Sequence, residues 1–291
     1  MNNLILVGVD GSSADRAAIA YAADVSSRTG LDVRLAHVAT QYSALVPYVD
    51  LDLDEVARQV LEGAVEQAKP LVPEGRLSAV LLHGQRQGAL LEAAKEAHLV
   101  VLGGNHRSTV ERILTGSTTT ALAAGARCPV VVVPPEWTAN SYRAVGVGVK
   151  TLDGAVPLLA EAAAIAESRG HRLEVVHAWH LPVTAYDALA VPEAIDTEGW
   201  ETDMRSALEE QVRAAVADHP GVELRQRVVE GNPATMLVDL SREVDLLVVA
   251  RRARLFPRGH LGGTARALLR ESQCPVLVVP PPVGGEECPS I

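Results

Sequence analysis

The feature that most constrains this chain is a repeat. Cys128-Pro129 followed by VVVVPP returns as Cys274-Pro275 followed by VLVVPP, and His37 after RLA returns as His177 after EVV. A plan written twice in 291 residues predicts two copies of one fold, each of ordinary domain size. In the first copy, apolar runs at Leu4–Val9, Asp32–Val38, Leu77–His83, Leu99–Leu102 and Pro129–Val133 read as strands. Helical segments are predicted between them at about Ser12–Arg28, Leu51–Lys69, Gln87–Ala97 and Ser117–Ala126. The second copy predicts strands at Ala144–Val149, Arg172–Ala178, Val222–Val229, Leu246–Ala250 and Pro275–Val279. Its helices are expected at Gly154–Arg169, Glu198–Asp218, Pro233–Glu243 and Thr264–Glu271. Strands alternating with helices imply right-handed βαβ units and a parallel sheet. The seam is placed at Glu136–Tyr142, giving domains 1–136 and 143–283 and a loose tail at 284–291.

Composition narrows the class. The chain is 48% hydrophobic but only 3% aromatic, so its core must be built from Ala, Val and Leu. A net charge of −10 argues against nonspecific binding to nucleic acid or to an anionic membrane. The cysteines, Cys128, Cys274 and Cys288, are too few for a disulfide framework, so a cytoplasmic setting is expected. The run Leu4–Val9 carries no preceding Lys or Arg and stops at Asp10, unlike a signal peptide, and no apolar stretch is long enough to span a bilayer.

The chemistry concentrates at Leu99–Ser117. An apolar strand ends in Gly103-Gly104, a polar loop follows, and Gly116-Ser117 opens an Ala-rich helix. Glycine lets a backbone approach a ligand closely, and a helix start leaves free N–H groups with the positive end of the helix dipole behind them. Phosphate is the usual anion at such a place. A plain strand-to-helix turn uses the same residues, so the two readings stand side by side at this point.

The first copy resembles a universal stress protein domain, and the whole chain resembles a tandem universal stress protein. The family's nucleotide motif is Gly, two residues, Gly, nine residues, Gly, then Ser or Thr; here it reads Gly103, His106, Gly116, Ser117 at the same spacing. Asp10 matches the family's Asp at the end of the first strand, and Val38 matches the Val after the His of the second. The resemblance implies two Rossmann-like domains of the adenine nucleotide alpha hydrolase-like kind. Each would be a five-stranded parallel sheet in the order 3-2-1-4-5, flanked by helices. It further implies ATP, with Mg carried on its phosphates, at the carboxyl ends of strands 1 and 4. Val9, Asp10 and Val38 would then face the adenosine. Leu102, Gly103, Gly104 and Asn105 would line the ribose and first phosphates, and Gly116, Ser117, Thr118 and Thr119 would hold the phosphates. The two fifth strands would pair antiparallel, and the chain would associate into a homodimer as well.

The residues themselves support those roles. An ionised Asp10 can only accept, which suits a hydroxyl or amino donor, although a turn or cap role also suits Asp. His106 stands where the family has Gly; its ring either touches a phosphate or blocks the site. Arg107 is a candidate phosphate contact or a solvated surface residue.

The second copy departs further. Lys150 replaces the Asp, Ala250 and Ala253 replace two motif glycines, and only Gly263-Thr264 remains. Lys150 has nothing to accept with, and each Ala places a Cβ where the motif has none. This copy is therefore expected not to bind ATP in the family's manner. Arg251, Arg252, Arg254 and Arg258 form a candidate site for an anion or an acidic partner; the alternative is a solvated loop paired with nearby carboxylates. His177 and His180 lack a third ligand nearby, so no metal site is assigned. No Walker sequence, defensible catalytic triad or carboxylate pair stands out, so the chain is expected not to be an enzyme beyond slow ATP turnover. The leading expectation is an ATP-binding regulatory or stress-response protein. The alternative is a scaffold or partner-binding stress protein with both nucleotide sites degenerate.

Overall fold

The computed structural model of the chain describes residues 3–39, 53–104, 117–139, 142–179, 197–251 and 261–281. In chain order the elements are β1 (Leu4–Gly8), α1 (Ala14–Thr29), β2 (Asp32–Ala39), α2 (Leu53–Ala68), β3 (Leu77–His83), α3 (Arg86–Ala93), β4 (Leu99–Gly103), α4 (Ser117–Gly125) and β5 (Val130–Val133). There follow β6 (Ala144–Val149), α5 (Val156–Arg169), β7 (Arg172–Trp179), α6 (Thr197–Ala215), β8 (Leu224–Glu230), α7 (Pro233–Leu240), β9 (Leu246–Ala250), α8 (Gly263–Glu271) and β10 (Val276–Val279). The chain folds into two compact units, one of residues 1–140 with 251–289, the other of residues 141–250.

In the first unit the strands lie in the order β3-β2-β1-β4-β5-β10. The first five are parallel, in the 3-2-1-4-5 order expected. β10 closes the far side antiparallel to β5, with Leu277 opposite Val131, so the two fifth strands of the repeat do pair with each other. Both Val131 and Leu277 are buried. An open edge as apolar as β5 would recruit another chain, and β10 covers it.

Helices α1 and α2 pack against each other, and so do α3 and α4. Right-handed crossovers place the first pair on one face of the sheet and the second pair on the other. α1 can lie close to the sheet because its inward face is mostly alanine, with Ala17, Ala18 and Ala22 buried. It stops at Gly30, whose φ of 77° is a left-handed cap position suited to glycine. The buried Tyr21 stands edge-on to the half-buried Trp137 with ring centroids 5.3 Å apart.

The second unit repeats the plan, with parallel strands in the order β9-β6-β7-β8. Its first helix ends at Gly170, again left-handed at φ 61°. Several boundaries differ by a few residues from expectation, two of them for evident local reasons. Gly154 turns at φ 74°, so α5 begins two residues later, at Val156. The segment expected as one helix over Gln87–Ala97 tightens after Ala93 into a 3₁₀ turn, Ala94–Glu96.

Candidate functional site

The carboxyl ends of β1, β2 and β4 open onto a cleft in the first unit. Val9, Asp10, Val38, Leu102 and Gly103 line it, and so do Thr118 and Thr119 from the first turn of α4. These seven were expected in a nucleotide site, and the fold gathers them although more than a hundred residues of sequence separate Val9 from Thr119. In an open α/β sheet this is the point where strand order reverses, between β1 and β4, and ligands favour it. Ser117 begins α4. Asn105, His106, Arg107 and Gly116 lie outside the described residues.

The floor of the cleft is held by the backbone. The amide of Val9 donates to the carbonyl of Ala36 at 2.9 Å. His37 is buried, and its Nδ1 meets the Val9 carbonyl at 2.8 Å, which makes Nδ1 the protonated nitrogen of that ring. The second unit has the same bond, His177 Nδ1 to the Val149 carbonyl at 3.0 Å. The repeated histidine is therefore a clamp on the end of the first strand. Among the described residues no cluster suited to a metal ion is found.

The motif's Gly103 and the adjacent Gly104 also serve the fold. A Cβ on Gly103 would sit 2.6 Å from the Ala14 Cβ and 2.9 Å from the Ala14 carbonyl oxygen. Gly103 is thus required by the close approach of α1 to β4, whatever occupies the cleft. The amide of Gly104 donates to the Val133 carbonyl at 2.7 Å, extending the β4–β5 ladder instead of facing the cleft.

Asp10 is exposed, and its Oδ1 accepts the amide of Ser12 at 3.0 Å. This is the turn role considered for it, and it coexists with a cleft position because a carboxylate has further acceptor capacity. No side chain at Ser13 caps α1; the turn before the helix is held by Asp15 instead. Asp15 is buried, and its Oδ2 accepts the amides of Gly11 at 2.7 Å and Asp10 at 3.1 Å. Burial pushes the Asp15 carboxyl up to about 6, and the nearby Asp10 charge adds to the rise, while the two amides oppose it.

Asp15 and Arg86 are cleft residues that motif reasoning missed. Asp15 was legible only as a helix-start residue. Arg86 follows the third strand directly, at a carboxyl end, and that position was the available signal.

Of the candidate arginine site, Arg252, Arg254 and Arg258 lie outside the described residues. Arg251 does not serve a surface patch. It is buried, and its guanidinium donates to the carbonyls of Ala123 and Ala126 at the end of α4. In the second unit Lys150 and Ala250 are exposed at the ends of β6 and β9.

The family model described as the universal stress protein family matches twice, at residues 1–134 and 141–280. The chain belongs to the universal stress protein family. Universal stress protein Rv2005c of Mycobacterium tuberculosis is 29% identical over 290 residues, covering 94% of this chain and 96% of that protein. Universal stress protein MT2698 of Mycobacterium tuberculosis is 33% identical over 287 residues, with 94% and 95% covered. Among solved structures, a universal stress protein from Archaeoglobus fulgidus aligns with a TM-score of 0.68 at 17% identity, covering 95% of this chain and 96% of that one. The tandem arrangement is thus shared along the whole length of these universal stress proteins. Among the described residues, no helix of this one is long and apolar enough to cross a membrane.

Proposed function

We propose that this universal stress protein is a nucleotide-binding regulatory protein that holds ATP in the cleft of its first unit. The observation that carries the reading is the convergence of Asp10, Val9, Val38 and Leu102 with Thr118 and Thr119 at one strand-order reversal. Val9, Val38 and Leu102 offer an apolar bed for a base. Asp10 accepts from hydroxyl or amino donors. Thr118 and Thr119 bring hydroxyls, and the α4 start brings amides, to the phosphates and any Mg they carry. Occupancy then biases conformation or partner choice, and the protein acts as a binding module rather than a catalyst. The second copy, with Lys150 and Ala250 in place of Asp and Gly, is assigned no ATP of its own.

The test is release of bound nucleotide. The purified full-length chain is denatured and the supernatant analysed for adenine nucleotides, beside the Gly116→Val variant. Adenine nucleotide from the first and little from the second is the expected result. A wild-type chain that neither carries nor takes up any adenylate would leave the scaffold reading in its place.

A further inference from the structure

The cleft has two chemically different walls. The β1–α1 side carries the exposed Asp10 and, behind it, Asp15, whose carboxylate is turned to the amides of Gly11 and Asp10. The α3–α4 side presents Arg86, in the first turn of α3, with Thr118 and Thr119 in the first turn of α4. These two helices pack on each other, so the guanidinium and the hydroxyls belong to one layer. Among the described residues lining the cleft, Arg86 is the one cation. It forms no ion pair with any described carboxylate, neither Asp10 nor Asp15 across the cleft nor a neighbour on its own helix. Arg86 thus lines a cleft that also holds two acidic residues and pairs with neither, which leaves its charge available to an anion.

We infer that Arg86 is a ligand-contacting residue that reads the phosphate-bearing end of the nucleotide and fixes which way round it lies. This rests on the nucleotide reading of the same cleft. The donor-rich end of a nucleoside phosphate, with its ribose hydroxyls and exocyclic amine, turns to the acceptor wall at Asp10. The anionic end turns to Arg86 and the threonine hydroxyls. The reverse orientation sets phosphate against the Asp10 carboxylate, with that of Asp15 behind it, and leaves the guanidinium without an anion. The planar fork of Arg binds phosphate oxygens in pairs, so the contact depends on phosphate and is absent for a bare nucleoside.

The experiment uses the full-length chain stripped of nucleotide, as wild type, Arg86→Gln and Arg86→Lys, titrated calorimetrically with adenosine, AMP and ATP. Arg86 is exposed on the first turn of its helix, so the variants keep the fold, and matched melting curves check this. Arg86→Gln is expected to weaken ATP and AMP by about tenfold or more and to leave adenosine unchanged, since a hydrogen bond to a charged group is at stake. Arg86→Lys restores part of the loss, because the charge remains and the fork does not. Equal ATP affinity in wild type and Arg86→Gln overturns the inference, and so does an adenosine affinity that falls in step with ATP. A wild-type chain that binds none of the three overturns the nucleotide reading itself, and the role of Arg86 with it.

Discussion

The guanidinium of Arg251 donates a 2.7 Å hydrogen bond to the carbonyl of Ala126, 125 residues earlier in the chain, and a 3.3 Å bond to that of Ala123. Its backbone stands where Gly104 stands in the first copy. The Arg251 amide bonds the Val279 carbonyl at 2.8 Å, as the Gly104 amide bonds the Val133 carbonyl at 2.7 Å. The same ladder position therefore carries no side chain in one copy and, in the other, a cation placed at the carboxyl end of α4. Positive charge is favourable there, because the last carbonyls of a helix lack partners within it. The first turn of that same helix lines the cleft.

Removing this guanidinium leaves buried carbonyls without their donor. Arg251→Met is expected to lose about 1–3 kcal/mol of stability, from the lost charged hydrogen bonds and the unsatisfied acceptors. Arg251→Lys, which keeps a charge on a shorter, unforked head, should recover part of it. Urea unfolding of the full chain measures both.

Asp15 makes stability depend on pH in a specific direction. Its folded pKa of about 6 lies above the unfolded carboxyl value, so the fold binds this proton more tightly than the unfolded chain does. Its contribution is greatest below the unfolded value and is lost as pH rises through about 6, an effect of up to about 3 kcal/mol. In Asp15→Asn the amide oxygen can take the place of Oδ2 and accept from Gly11 and Asp10 without a buried charge. The variant should be more stable than wild type at pH 8. Its stability should also change less than that of wild type between pH 4 and pH 7, measured by chemical denaturation across that range.

Gly103→Ala tests whether the glycine serves packing. A methyl group there meets both the side chain and the backbone of Ala14, so α1 must shift. A loss of about 1–3 kcal/mol is expected, typical of overpacking, and it should appear equally with and without nucleotide. A loss seen only in nucleotide affinity, with unchanged melting, would return the glycine to the ligand.

The first unit includes residues 251–289, so a chain ending at Asn140 lacks part of its own sheet. β5 would lose β10 and expose the row Val130, Val131 and Val132 on an open edge. Such a fragment is expected to dimerise or aggregate at micromolar concentration, where the full chain does not do so through this edge. Light scattering coupled to size exclusion distinguishes the two. A well-behaved monomeric fragment would show that β5 needs no cover.

Much of this was legible in the sequence because it is local or periodic. Apolar runs marked the strands, and the helix ends predicted at Arg28 and Arg169 fall just before Gly30 and Gly170, since left-handed caps favour glycine wherever they occur. Strand order and the antiparallel β5–β10 pair followed from the family resemblance carried by the Gly103–Ser117 spacing and Asp10. What was not legible depends on distant partners. Asp15 looks like a helix-start acid until the fold buries it against two amides. Arg251 looks like the first residue of a basic loop, yet its side chain is spent on a helix of the other copy. Arg86 has no motif around it, and its place in the cleft comes from α3 packing on α4.

The most direct test of the central claim is a titration of nucleotide-stripped, full-length protein with ATP, read as stoichiometry by calorimetry or equilibrium dialysis. One saturable equivalent per chain is the predicted result, lost in Gly116→Val. No saturable binding contradicts the nucleotide reading, and two equivalents per chain contradict the assignment of the site to the first unit alone.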